Sequence, residues 1–335
     1  MAVFRSESEQ LLTSRRLDMR SPLKRTIARS PMHYYLLGGA IGLISLAPVV
    51  LNAANDDLYI AQPVTQSGEF TSGIEGPACD AKGHLYAVNF AKQGTIGIVS
   101  PGKKSDVFLA LPADSVGNGI RFDQMGRMYI ADYVNHNIWR VDVNSQKPTL
   151  FAHNSKMSQP NDLAIAANGT LYASDPNWGA KTGQIWKISP EGQVKQVASE
   201  MGTTNGIEVS IDNQTLYVNE SLQRNIWAFD IASNGTLSNK RLLKKFADHG
   251  FDGMRGDIDG NLYVTRHGKG TVVKLSPQGE LLQEIDVLGD HPTNICFGGP
   301  DGRTAYVTEA QNKRIVSFRV EKPGRSWQLF KNTKN

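Results

Sequence analysis

The chain has 335 residues, 40% hydrophobic and 20% charged, with 32 Gly, 15 Pro and two Cys, a globular composition with room for two small domains or one large β domain. Its formal charge of +4 sits wholly in residues 1–30, where seven Arg and Lys face three acidic residues; the remainder carries 29 of each sign. A neutral body lacks the basic stripe that nucleic-acid phosphates require, and two thiols do not make a disulfide scaffold, so stability must come from a core.

The first predicted element is a leader. After the basic segment, residues 30–55 contain no Asp, Glu, Lys or Arg, and the stretch "YYLLGGAIGLISLAPVV" gives way to Leu51-Asn52-Ala53. Basic, apolar and small-residue zones in that order describe a secretory signal, with cleavage after Ala53. The alternative is an uncleaved membrane anchor, because the uncharged run approaches the ~20 residues a bilayer needs; Gly38, Gly39, Gly42 and Pro48 weaken it as a spanning helix. A start at Met19 or Met32 would shorten the leader. Both main readings separate residues 1–54 from a body at 55–335 and place that body outside the cytoplasm, periplasmic or secreted after cleavage.

The body repeats. Six segments, beginning near residues 73, 117, 160, 204, 251 and 293, each run from a polar residue through a short apolar strand and a Gly/Asn/Asp turn to a Tyr. The tyrosines are Tyr86, Tyr129, Tyr172, Tyr217, Tyr263 and Tyr306, at intervals of 43, 43, 45, 46 and 43 residues. Each is followed by a further strand ("IGIV", "IWRV", "IWKI", "IWAF", "VVKL", "IVSF"), then by turn signals and another strand. Trp139, Trp186 and Trp227 occupy equivalent positions and read as inter-blade packing. Four strands per unit is the blade of a β-propeller, so the chain is expected to be all-β, a six-bladed β-propeller with four-stranded blades. The even spacing favours six over five or seven. "DLYIAQPV" (58–64 with its lead-in) precedes the first unit, as an outer strand donated to the last blade would. Ring closure would set Cys79 and Cys296 near each other, either as free buried thiols or as one bridge.

Eleven or twelve residues before each Tyr stand Glu75, Asn118, Asn161, Asn205, Asp252 and Asn294. Innermost propeller strands all begin at the same mouth of the central channel, so these six oxygen-bearing side chains should converge. At any single position an Asn or Asp before a strand can simply cap a turn. Jointly, a ring of carboxylates and amides without His or Cys suits a hard cation, Ca²⁺ before Zn²⁺. Glu75 and Asp252 would balance a divalent charge, and Asn161 and Asn205 would add neutral oxygens; Mg²⁺, Mn²⁺ and Zn²⁺ are the other candidates.

"EGP" at 75–77, "PNDL" at 160–163, "SDPNWG" at 174–179, "TNGIEVS" at 204–210, "DGM" at 252–254 and "NICFGG" at 294–299 resemble, in order, the senescence-marker-protein/gluconolactonase family. The resemblance implies a propeller with a divalent ion, usually calcium, and lactonase or organophosphate-hydrolase activity. It carries over Glu75, Asn161, Asn205 and Asp252 as ligands and sets Asn118 beside the substrate. Thr204 and Phe251 stand where the family has Pro, and Gly73-Ile74 replaces a common aromatic, so the departures fall at the pocket rim.

The expected reaction is hydrolysis of a lactone ester, with Asp252 as general base or nucleophile. Asp162 contacts the substrate or anchors the site from beside it, and His291 is either an acid/base at the mouth or a turn histidine. Asn89, Asp132, Asp175, Asn219 and Arg266, just after the tyrosines, are read as structural. No G-x-S-x-G or phosphate-cradling Gly loop is present. The partner is a small lactone or ester; no nucleic acid is expected, a membrane only if the leader stays uncleaved, and a monomer or small homo-oligomer. A non-catalytic extracytoplasmic binding or scaffold propeller, or a phosphotriesterase on the same site, are the alternatives, because fold alone does not choose function.

Overall fold

Strands this short cannot form a core singly; each must bury a face against neighbours. In the computed structural model, which describes residues 58–331 except Lys103 and Ala113, they do so as six four-stranded antiparallel sheets. The innermost strands are Phe70–Cys79, Gly117–Phe122, Leu163–Ile165, Thr204–Val209, Met254–Gly256 and Pro292–Gly298. This is the six-bladed propeller that the tyrosine interval predicts. The leader assigned to residues 1–54 lies outside the described residues. Among the described residues no helix is long and apolar enough to cross a membrane.

Apolar layers between blades explain the repeat. Tyr129, Leu163, Leu171 and Trp186 pack together between blades two and three. Tyr86 meets Phe108 at 5.0 Å and Tyr129 meets Phe151 at 5.1 Å, both edge to face. The turn between the first two strands needs a left-handed residue: Gly169 takes φ 83° in blade three, and Asn213 takes φ 60° at the same place in blade four. The tryptophans do pack between blades, and two have a further tie. Trp139 Nε1 donates to Asp132 at 3.1 Å and Trp186 Nε1 to Asp175 at 2.7 Å. Those carboxylates also accept the backbone N–H groups of Val116 and of Ser158 and Gln159, which gives them the structural role expected.

The ring closes as expected. Gln62–Pro63 pairs with Arg314–Arg319, in register Gln62↔Ser317 and Pro63↔Val316, as the outermost strand of blade six. Proline is tolerated there because an edge strand leaves one side of its backbone unpaired. Closure brings Cys79 Sγ within 3.2 Å of Cys296 Sγ.

One element has no counterpart in the repeat, the helix Arg325–Lys331. It lies across the end of the channel where the inner strands finish. Buried Arg325 donates to the carbonyls of Ile165 and Ser210 at 3.0 and 3.1 Å and to Asn213 Oδ1 at 2.8 Å, and pairs with Glu208 at 3.4 Å. With Ser326 and Phe330 it lines a residual cavity of about 20 Å³.

Candidate metal centre

Five of the six ring residues sit near the starts of the inner strands, at the mouth opposite that helix, and Glu75 lies within its longer strand between two register shifts. They can converge because the inner strands approach closely. A Cβ added to Gly76, at φ 56°, would lie 1.9 Å from the Asn118 carbonyl oxygen of the next blade. One added to Gly253 would lie 2.0 Å from the Asn294 side chain. Backbone bonds tie the same junctions: Gly119 N donates to Asn161 O at 2.8 Å, Gly206 N to Asp252 O at 3.0 Å, and Gly253 N to Thr293 O at 2.6 Å.

Glu75, Asn205 and Asp252 meet directly. The Glu75 and Asp252 carboxyl groups are in hydrogen-bond contact, and Asn205 reaches Asp252 as well. Burial raises both carboxyls above their ordinary range; the charge of Asp162 adds to the effect at Glu75, and that of Glu75 adds to it at Asp252. The amides are oriented unequally. Asn294 gives Nδ2 to Glu75 Oε2 at 2.9 Å, and its Oδ1 accepts from Ile295 N at 2.9 Å, so its oxygen is committed. Asn205 gives Nδ2 to Ser221 Oγ at 3.1 Å, while its Oδ1 has no hydrogen-bond partner among the described residues. Asn161 Oδ1, also buried, has none either. Half-buried Asn118 donates to the Asn161 carbonyl at 3.2 Å.

The chemistry of these groups, two amide oxygens without partners among the described residues and two carboxyls that resist charge, is that of donors to a hard cation. Glu75, Asn161, Asn205 and Asp252 therefore fit a Ca²⁺-like ion. Among the described residues no three His, Cys, Asp or Glu side chains assemble as ligands, so a cation here would depend on the amides.

Below the ring lies a charge network that sequence reasoning missed in part. Asp162, fully buried, receives Arg255 Nη1 at 2.8 Å and Nη2 at 3.2 Å, and pairs with Arg121 at 3.1 Å. Deeper still, Glu208 pairs with Arg325. Arg121, Glu208 and Arg255 each stand three residues after a ring residue (Asn118, Asn205 and Asp252). A charged side chain at one fixed offset within an apolar strand, in three blades, was the available signal. At the rim, exposed His291 stacks on exposed His267, with ring centroids 4.7 Å apart and planes 4° from parallel.

The family model described as "SMP-30/Gluconolactonase/LRE-like region" matches residues 64–311. The gluconolactonase of Zymomonas mobilis is 24% identical over 319 residues, covering 85% of this chain and 88% of that one. The regucalcin of Oryctolagus cuniculus is 34% identical over 134 residues, 39% of this chain, and this match spans about half (45%) of that relative's length. A solved structure described as a calcium-binding protein, regucalcin, from Agrobacterium tumefaciens superposes with a TM-score of 0.68 at 20% identity, covering 76% of this chain and 92% of that one. At that identity the likeness is one of fold.

Proposed function

The chain belongs to the SMP-30/gluconolactonase/LRE-like family, and from that premise we propose that it hydrolyses the ester bond of a small lactone with a divalent cation, Ca²⁺, held by Glu75, Asn161, Asn205 and Asp252. The gluconolactonase relative, similar over most of both chains, supports the reaction class. The calcium-binding description of the regucalcin structure supports the choice of ion. The observation that carries the reading is the pair of amide oxygens without a partner among the described residues, Asn161 Oδ1 and Asn205 Oδ1, in the ring that also holds the Glu75 and Asp252 carboxyl groups.

When bound, the cation supplies Lewis-acid polarisation of the lactone carbonyl and charge for the developing oxyanion. The chain's residues do the rest. Asp252, half-buried, would take the proton of the attacking water as general base once the cation's charge holds its carboxyl ionised. The proton then passes to the leaving alkoxide as the ring opens, giving a hydroxy acid. Asn118 presents its amide to the substrate's oxygens, and His291 reaches it from the rim. Of the two roles open to Asp162 the proposal takes the anchor, since Arg121 and Arg255 occupy both its oxygens and steady the strand that carries Asn161.

The leader carries a second proposal, export of the 55–335 body with cleavage after Ala53, tested by the N-terminal residue of the mature protein. For the reaction, the metal content of the purified protein is measured, then aldonolactone hydrolysis with and without EDTA, and for Asp252→Ala. One bound divalent ion, EDTA-sensitive turnover and an inactive variant are expected. Full activity in Asp252→Ala, or no bound ion, would sink the proposal. A bound ion without lactone turnover would leave the binding-module or phosphotriesterase readings.

A further inference from the structure

Cys79 ends the inner strand of blade one, and Cys296 lies in the inner strand of blade six, 217 residues away. Their sulfurs stand 3.2 Å apart, about 1 Å beyond covalent bonding distance. Both side chains are buried in the apolar layer of the closing seam, with Phe70, Ile74, Leu85, Ala87 and Ile315. Gly298 makes the room, since a Cβ there would lie 2.5 Å from Cys79 Sγ.

At this seam the last three strands of the fold meet its first blade, and residues 64–69 link the two blades through the donated outer strand Gln62–Pro63. Its outer rim is held by the paired residues Gln62 and Pro63 and by backbone bonds from Val64 N to Ile315 O at 2.9 Å, Gly68 N to Asn312 O at 3.0 Å and Phe70 N to Lys313 O at 3.2 Å. Its inner rim is held by polar ties, Thr293 Oγ1 to Ile74 O at 2.8 Å and Asn294 Nδ2 to Glu75 Oε2 at 2.9 Å. The thiols lie directly below those ties, two residues from Asn294 and four from Glu75.

We propose that Cys79 and Cys296 form a disulfide that closes the propeller covalently at its inner rim. Both S–H bonds break and one S–S bond forms. The two protons go to solvent, and the two electrons go to a low-molecular-weight or protein disulfide, which is reduced to two thiols. The bond forms while the seam is still open, because burial in the packed ring withholds the thiolate that must attack. Once made, it constrains a very long loop of the unfolded chain, the case in which a cross-link restricts that state most.

The full chain is unfolded and reduced, then refolded with a mixture of reduced and oxidised glutathione, or with reduced glutathione alone. Each product is unfolded without reductant, treated with iodoacetamide and weighed intact. The same mass measurement is made on chain exported to an oxidising compartment. The oxidised and exported samples should carry no carbamidomethyl group, the reduced sample two. The oxidised form should unfold several degrees higher than the reduced one, and the Cys79→Ala/Cys296→Ala variant should show no difference between the two refolding conditions. Two alkylated thiols in the exported chain, glutathione adducts in place of the bond, or equal unfolding midpoints for oxidised and reduced chain would overturn the proposal.

Discussion

Asn294 donates its side-chain amide to Glu75 Oε2 at 2.9 Å, joining the last blade to the first across 219 residues of sequence. With the Gly76 N–H, which donates to the same oxygen at 2.5 Å, the bond fixes one carboxylate oxygen in the channel. Partners of this kind cost about 10- to 100-fold in metal affinity when removed. Asn294→Ala should weaken Ca²⁺ binding by at least ~10-fold in a calorimetric titration. Unchanged affinity would mean Glu75 needs no such support.

The two partnerless oxygens give a prediction of opposite character. Asn161 Oδ1 accepts no hydrogen bond among the described residues, so Asn161→Ala should change the stability measured in EDTA by less than ~1 kcal/mol. The rise in unfolding temperature on adding Ca²⁺, which mass action requires of a ligand bound only by the folded state, should largely vanish in the variant. Differential scanning calorimetry with and without EDTA reads both arms. A variant that keeps the full calcium-induced shift would remove Asn161 from the ligand set.

Gly76 leaves less room for a Cβ than any other described glycine. An Ala there must accept φ 56° and a Cβ 1.9 Å from a backbone oxygen that cannot swing away. Left-handed strain and overpacking together should cost ~2–4 kcal/mol, read from urea unfolding. Ca²⁺ binding should fall as well, because Glu75 and Asn118 are the residues forced apart.

Asp301 is held by Arg319 through two bonds, 3.0 Å and 2.6 Å, which bring its carboxyl down to about 2. Both side chains are more than a third exposed, so solvent limits the pair to under ~1 kcal/mol. The folded value lies below the ordinary ~3.9. The stabilisation is therefore complete above about pH 4 and is lost as pH falls through about 2. Asp301→Asn should be slightly less stable than the parent at neutral pH and equal to it near pH 2. A gap that persists in acid would point to packing instead.

Arg325 replaced by Ala leaves Glu208 buried without its partner and removes the donor to the Ile165 carbonyl, while the Ser210 carbonyl keeps Asn213 N at 3.0 Å. Removing one member of a buried pair costs ~3–5 kcal/mol. Arg325→Ala should fall in that range, and adding Glu208→Gln should recover part of the loss. Additive losses in the double variant would show that the two groups do not depend on each other.

The fold was legible because a propeller repeats its grammar. The tyrosine interval, the positive-φ turns and the donated strand at Gln62–Pro63 are local signals, each printed in the chain where it acts. The ring of six polar residues was legible for the same reason, since their positions follow from the repeat. The unequal use of the amides was not legible. Whether an Asn offers its oxygen depends on neighbours such as Ile295 and Ser221, which differ from blade to blade. Arg325 was invisible for another reason: its partners, Ile165, Glu208 and Asn213, come from two blades more than a hundred residues away, and its short helix belongs to no repeat.

That helix has a consequence for traffic. With Arg325 seated across the far end, the central space is a well and not a tunnel. A small molecule bound at the ring, as proposed, would depart past the same rim by which it came. Arrival and departure therefore share one doorway, and a departing molecule that lingers there delays the next arrival.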